Sequence, residues 1–314
     1  MRVLITGITG FAGSYLADAL KNDPSVMLFG VARQPANLLP ELHGQVHCFM
    51  GDLLSTEFVQ TVLREVQPEV VYHLAGQASV AAAWSQPWQT MQTNLQPQLN
   101  LLEGLISLQM SPHFLSVTSS KVYGDITAAE MPLTEETPLC PDNPYGVSKA
   151  AQDLMAQQYH LSHRLPIIRV RPFNHIGPRQ SDDFVTAAFA RQIAMIEAGL
   201  LPPVVRVGNL TAQRDFTDVR DIVRGYIRLI EAGQPGEVYN LGSGRAVAIE
   251  QILTTLLDFS QIDIQVEQDP ARMRPVDQPI SYGAIDKIEQ QLGWQPQIDL
   301  KTSLQEMNRG GTAS

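Results

Sequence analysis

An α/β fold is predicted for this chain, a doubly wound parallel sheet with a smaller, discontinuous C-terminal lobe, and three observations predict it. Short apolar runs alternate with longer stretches of helical periodicity, and runs apolar throughout suit strands buried on both faces of a parallel sheet. The first run leads directly into a glycine turn and an amphipathic helix. After Pro172 the rhythm breaks, and Pro178, Pro202, Pro203, Pro270, Pro275, Pro279 and Pro296 punctuate a less regular region.

In chain order, residues 1–22 read as strand, glycine turn and a helix ending near Leu20. Strands are expected at Val26–Val31, Val46–Met50, Val70–His73, Phe114–Thr118 and Ile167–Arg171, and long helices at Trp88–Ser107 and Pro144–His163. A helix near Asp218–Ile230 and a strand near Val238–Leu241 return the chain to the sheet. Residues 1–172 and 216–243 are therefore the expected sheet domain, and residues 173–215 and 244–314 the lobe where substrate specificity should reside.

Gly7, Gly10 and Gly13 occupy the first turn. Glycines there permit a tight bend, close backbone approach to a pyrophosphate and close packing of helix on strand, with the anion held at the helix N-terminus. About twenty positions on, NAD-preferring sites place a carboxylate on the ribose hydroxyls, whereas this chain reads Gly30-Val31-Ala32-Arg33-Gln34. The Arg33 guanidinium can pair with a 2'-phosphate; the alternatives are stacking on adenine or standing in solvent. NADP (as NADPH) is favoured, with NAD second.

Tyr145 and Lys149 stand four residues apart on an expected helix, so one turn brings phenol and ammonium to the same face. A cation ~4 Å away at an effective dielectric of ~20 favours a phenolate by roughly 4 kcal/mol, and desolvation opposes it. The expectation is a phenol below its ordinary pKa of about 10, suited to acid-base work.

The formal net charge of -10 over 314 residues argues against polyanion binding through bulk charge, so no nucleic-acid partner is expected and an anionic substrate would need local arginines. Cys48 and Cys140 are too few for a disulfide framework. Neither His43, His47 and Cys48 nor His160 and His163 offers a zinc ligand set at a recognised spacing, so no metal is expected. Gly7, Thr9, Gly10 and Asp18 interrupt the apolar start, and no run approaches a membrane span, which leaves the cytoplasm as the expected compartment.

Together, Gly7-x-x-Gly10-x-x-Gly13, Gly51-Asp52-Leu53, His73-Leu74-Ala75-Gly76, Thr93-Asn94, Ser119 ahead of Val122-Tyr123-Gly124, and Tyr145-x-x-x-Lys149 resemble the extended short-chain dehydrogenase/reductase family, over nearly the whole chain. The resemblance implies a Rossmann domain whose cofactor site includes Gly7, Thr9, Gly10, Phe11, Ala12, Gly13, Arg33, Asp52 (at the adenine), Leu53, Leu74, Ala75, Gly76, Thr118, Tyr145, Lys149 (also on the nicotinamide ribose) and Phe173. It also implies Ser119, Tyr145 and Lys149 as catalytic residues, and a homodimer joined through the two long helices, whose apolar faces could equally serve only the monomer core.

A second set of segments, Arg171-Pro172-Phe173-Asn174-His175-Ile176-Gly177-Pro178, Val207-Gly208-Asn209-Leu210, Arg214-Asp215-Phe216-Thr217-Asp218 and Arg274-Pro275, is similar to the branch of that family that handles GDP-mannose and its 4-keto-6-deoxy derivative. It implies Asn174, Val185, Arg191, Asn209, Arg214 and Arg274 as substrate contacts, the last two clamping the diphosphate. In the family's 4,6-dehydratases a glutamate two positions after the Ser119 equivalent removes the carbon 5 proton; here that position is Lys121, an ammonium unsuited to act as a base. What survives is hydride transfer with one proton donor. The resemblance then implies NADPH-dependent reduction of the 4-keto group of GDP-4-keto-6-deoxy-mannose to GDP-rhamnose, feeding cell-surface polysaccharide synthesis. A dehydratase or a 4-epimerase is the alternative, and a non-catalytic dinucleotide-binding protein would need none of Ser119, Tyr145 and Lys149.

Overall fold

The computed structural model describes residues 1–34, 39–273 and 278–311. Among these, the strands are β1 (Arg2–Thr6), β2 (Met27–Ala32), β3 (Val46–Met50), β4 (Val70–His73), β5 (His113–Val117), β6 (Ile167–Pro172), β7 (Asn174–Ile176), β8 (Val204–Val207), β9 (Gln213–Arg214), β10 (Phe216–Asp218), β11 (Val238–Leu241), β12 (Val247–Ala248), β13 (Gln265–Gln268) and β14 (Ile280–Ser281). The helices are α1 (Phe11–Leu20), α2 (Thr56–Val66), α3 (Val80–Ser85), α4 (Pro87–Ser107), α5 (Pro144–His163), α6 (Val185–Glu197), α7 (Val219–Ala232), α8 (Ile249–Leu257), α9 (Asp286–Leu292) and α10 (Leu300–Gly311). The expected strands and long helices of the sheet domain lie within two residues of these bounds.

The main sheet is parallel, in the order β11-β6-β5-β4-β1-β2-β3. Strand order reverses between β1 and β4, and in such sheets the crevice outside the C-terminal strand ends at the reversal is where ligands bind. Successive residues of β1 serve opposite faces. Val3 and Ile5 pack with Leu16 of α1 and with Ile222 and Tyr226 of α7, whereas Leu4 packs with Leu63 of α2, Leu101 of α4 and Ala156 of α5. Two covered faces are why the strand had to read as an unbroken apolar run.

Three small sheets, β10-β7, β12-β9-β14 and β13-β8, lie outside the main sheet, and β10, at the start of the segment expected in the sheet domain, pairs with β7. The core of the second lobe joins Phe189 and Ile193 of α6, Ile252 and Leu256 of α8, and Leu304 and Met307 of α10. One part of the segment expected there lies elsewhere. Ile288 and Leu292 of α9, with Trp294, pack into the main-sheet cluster, and the Trp294 indole N–H donates to the Asp221 carbonyl at 3.1 Å. No helix among the described residues is long and apolar enough to cross a membrane.

Candidate active site

The ends of β1 and β4 meet in a contact that only glycine permits. Gly7 has φ +73°, and a Cβ there would stand 2.9 Å from the Ala75 Cα. A Cβ on Gly13 would fall 2.1 Å from the Gly7 carbonyl oxygen, so the first turn of α1 lies directly on the strand end. Gly10 precedes α1 in extended conformation, no side chain caps the helix, and a Cβ on Gly10 would meet only the Gly7 oxygen, at 3.1 Å. The result is an open helix N-terminus, flanked by Thr9 and by half-buried Phe11 and Ala12, whose space and partial positive charge suit a dinucleotide's pyrophosphate.

Ser119 lies two residues past β5, and Tyr145 is in the first turn of α5. The Asn143 side chain caps that helix, accepting from the Gly146 N–H at 2.9 Å. Gly146 lets the helix start approach the Ser119 loop, since a Cβ there would lie 2.6 Å from the Lys121 carbonyl oxygen. The Ser119 side chain stands beside the Tyr145 hydroxyl. One turn on, Lys149 Nζ donates to the Val117 carbonyl at 3.2 Å and lies 3.6 Å from where a Cβ on Gly76 would be. The structure thus brings together the three residues singled out as catalytic and the turn after β4.

Ionisation departs from expectation. Burial pushes the Tyr145 phenol up to about 12, and the downward pull comes from the neighbouring Ser119 side chain. The same burial pushes the Lys149 ammonium down to about 8. Loss of water penalises both charged forms, and this outweighs the attraction expected from the one-turn spacing. A phenol held protonated is a proton donor in its resting state. His73, pushed down to about 3 by burial and by Lys149, is neutral; its Nδ1 lies 2.8 Å from Thr6 Oγ1.

Asn94, quoted above as part of a motif, has a bonding role that sequence reasoning did not foresee. Asn94 of α4 accepts from the Gln77 N–H at 2.7 Å and donates to Ser148 Oγ at 2.8 Å, and Ser148 Oγ donates to the Tyr145 carbonyl at 2.7 Å. Asn94 therefore ties the Gly76 turn to the start of α5. The available signal was a poor helix former at a core position of a long amphipathic helix.

The remaining expected cofactor residues divide between surface and core. Arg33 is exposed directly after β2. Asp52 is exposed and accepts from the Leu54 N–H at 3.0 Å, beside buried Leu53. Leu74 and Ala75 are half-buried, with the Ala75 N–H donating to Thr6 Oγ1 at 3.3 Å. Thr118 is buried and donates to the Val170 carbonyl at 2.9 Å. Phe173, expected at the cofactor, is a core residue at 3% exposure, stacked on Tyr123.

The expected substrate residues lie in the lobe. Half-buried Asn174 begins β7, and half-buried Val185 begins α6. Arg191 is exposed and ion-paired with Asp182 at 2.5 Å. The Asn209 side chain accepts from Thr211 at 2.8 Å. Arg214, expected to clamp the diphosphate, is only 7% exposed in β9, its Nη1 donating to the Gln213 carbonyl at 2.7 Å. Arg274 lies outside the described residues. The ring of His175, which follows Asn174, stacks parallel on Phe11 at 5.8 Å, a link between the lobe and the start of α1 not foreseen from sequence.

The sequence pattern of the family described as GDP-mannose 4,6 dehydratase matches residues 4–307. The chain is 38% identical to the GDP-6-deoxy-D-mannose reductase of Pseudomonas aeruginosa, across 96% of this chain and 94% of that one. Among solved structures it is similar to RMD from Pseudomonas aeruginosa complexed with NADPH, with a TM-score of 0.86 and 34% identity over 100% of this chain and 99% of that one. A UDP-glucose 4-epimerase from Thermus thermophilus in complex with NAD aligns with a TM-score of 0.88 and 26% identity over all of both chains.

Proposed function

The chain belongs to the GDP-mannose 4,6-dehydratase family, within the extended short-chain dehydrogenases/reductases, and on that premise we propose that it reduces the 4-keto group of GDP-4-keto-6-deoxy-mannose to give GDP-rhamnose. The observation that carries this reading is the pairing of a protonated Tyr145 with Ser119, with Lys121 where elimination would need a carboxylate. NADPH, when bound, supplies the hydride that reaches carbon 4. Tyr145 gives its proton to the forming alkoxide, and Ser119 hydrogen-bonds the same oxygen and orients the phenol. Lys149, beside the Gly76 turn, places a cation near the developing charge and binds the nicotinamide ribose. Gly7, Thr9, Gly10, Phe11, Ala12 and Gly13 hold the pyrophosphate, Asp52 meets the adenine, and Arg33 pairs with the 2'-phosphate.

The sheet domain binds the cofactor and the lobe binds the GDP-sugar through Asn174, Val185, Arg191, Asn209, Arg214 and Arg274. Arg191 exchanges its exposed pairing with Asp182 for a phosphate at little cost, since surface ion pairs are worth about 1 kcal/mol or less. The assembly is a homodimer seated on the outer face of α4 and α5, where Leu99, Val147, Leu154 and Leu161 are exposed. The compartment is the cytoplasm, in keeping with the unpaired thiols of Cys48 and Cys140.

The deciding experiment supplies the purified protein with GDP-mannose or, separately, with its 4-keto-6-deoxy derivative plus NADPH. Stoichiometric loss of NADPH absorbance is expected in the second mixture, and no reaction in the first. Loss of water from GDP-mannose without net cofactor consumption would overturn the reductase reading in favour of a dehydratase. Interconversion of two GDP-hexoses without cofactor consumption would favour an epimerase.

A further inference from the structure

Below the Ser119–Tyr145 pair runs a chain of buried charged and polar groups that the reaction itself does not use. Asp153, fully buried and one turn past Lys149 on α5, accepts from Arg171 Nε at 2.8 Å and Nη2 at 3.0 Å, and from Arg169 Nη1 at 2.9 Å. The other arm of the Arg171 fork, Nη1, donates to the Tyr123 hydroxyl and to the Glu135 carbonyl, both at 3.1 Å. Tyr123, itself fully buried with the guanidinium over its ring at 5.2 Å, donates to Asn240 Oδ1 at 2.6 Å. Asn240 Nδ2 in turn donates to the Leu133 carbonyl at 2.9 Å.

The ends of this chain lie in telling places. Tyr123 is four residues past Ser119, and Leu133 and Glu135 belong to the following stretch of the same connection. Thr118, immediately before Ser119, reaches Asp153 Oδ2 at 3.4 Å. The connection carrying Ser119 is thus fastened at several points to β6, to β11 and to the helix carrying Tyr145. Burying charges is a poor route to stability, because apolar residues of similar volume often do as well or better. What a planar fork adds is direction, bonds at fixed angles to two partners at once.

We propose that the Asp153–Arg171–Tyr123 chain is a positioning element, with Arg171 at its centre, that holds the Ser119 connection in register with α5 so that the Ser119 side chain meets the Tyr145 hydroxyl. The inference rests on the roles proposed above for Ser119 and Tyr145. Displacements of about 1 Å in such a pair can cost roughly a hundredfold in rate, so a group well away from the reacting atoms can control turnover without touching substrate.

A double-mutant cycle tests it. Tyr123→Phe deletes one hydroxyl and keeps the ring, and is expected to lower kcat with NADPH and GDP-4-keto-6-deoxy-mannose by roughly tenfold, while KM and NADPH affinity change less than about twofold. In a Ser119→Ala background the same change should cost less than about twofold, because the group it positions is gone. Arg171→Lys, which keeps the charge and loses the fork, should follow the same pattern with a larger first effect. Equal losses with and without Ser119, or a Tyr123→Phe enzyme as fast as wild type, overturn the proposal. Wild-type protein that leaves NADPH unconsumed with this substrate overturns the reductase reading, and the proposal with it.

Discussion

Replacing Lys149 with methionine is expected to raise the stability of the cofactor-free protein while abolishing most of its turnover. Burial pushes the Lys149 ammonium from an ordinary 10.5 down to about 8. At about 1.4 kcal/mol for each pH unit, the native state carries this charge at a cost of roughly 3 kcal/mol relative to the unfolded chain. Methionine keeps an unbranched stem and removes the charge. It also loses the hydrogen bond to the Val117 carbonyl, about 1 kcal/mol, for a net gain of about 2 kcal/mol at pH 7, or a rise in Tm of roughly 4 °C. The gain must shrink as pH rises. Between about 8 and 10.5 the native lysine has lost its proton while the unfolded one retains it, so the wild type recovers stability across that window. Thermal unfolding of both proteins at pH 7 and pH 10 reads the effect, and groups common to both cancel in the difference. A variant less stable than wild type at pH 7, or a difference unchanged between the two pH values, would refute the desolvation argument.

Tyr145→Phe keeps the ring and removes the proton donor, so turnover should fall ~100-fold or more with NADPH affinity nearly intact; near-normal turnover would remove Tyr145 from its role. Arg33→Ala should weaken NADPH binding about tenfold or more and leave NADH binding nearly unchanged, because only NADPH carries the 2'-phosphate; fluorescence titration with both cofactors decides, and equal losses would show that Arg33 does not read that group. Leu154→Glu, at an exposed apolar position of α5, should convert the proposed dimer to monomer in sedimentation analysis; a variant that sediments as wild type would overturn the placement of the interface on α5.

The backbone was far more legible than the side chains. Val70–His73 and Pro144–His163 were readable to the residue, because an unbroken apolar run and a capped, proline-initiated helix are local patterns. Gly7 was legible for the same reason, since a strand that must turn at once into a helix needs a positive φ. Tyr145 and Lys149 were singled out by spacing and Ser119 by the resemblance, yet the direction of the phenol's shift was not legible, because it depends on water excluded by residues distant in sequence. The burial of Arg214 and Phe173 is likewise a long-range fact. A motif says which residue type stands at a position and is silent about what the other lobe packs against it. Asn94 lay in plain view as part of a motif, but its bonds to Gln77 and Ser148 span 17 and 54 positions in the chain.

The return of α9 and Trp294 to the main-sheet core has a mechanical consequence. The backbone passes between the two cores near residues 173, 217, 243, 284 and 297, so the lobe is stitched to the sheet at many points and does not hang from a single linker. A body held by that many stitches cannot swing on one hinge, and the motion left to it when ligands enter is a small sliding of packed surfaces. Nor can either half be cut away cleanly. Ending the chain before α9 would strip Ile288, Leu292 and Trp294 from the face shared with Ile222 and Tyr226, leaving the sheet domain with an apolar wound that is covered by residues close to the far end of the sequence.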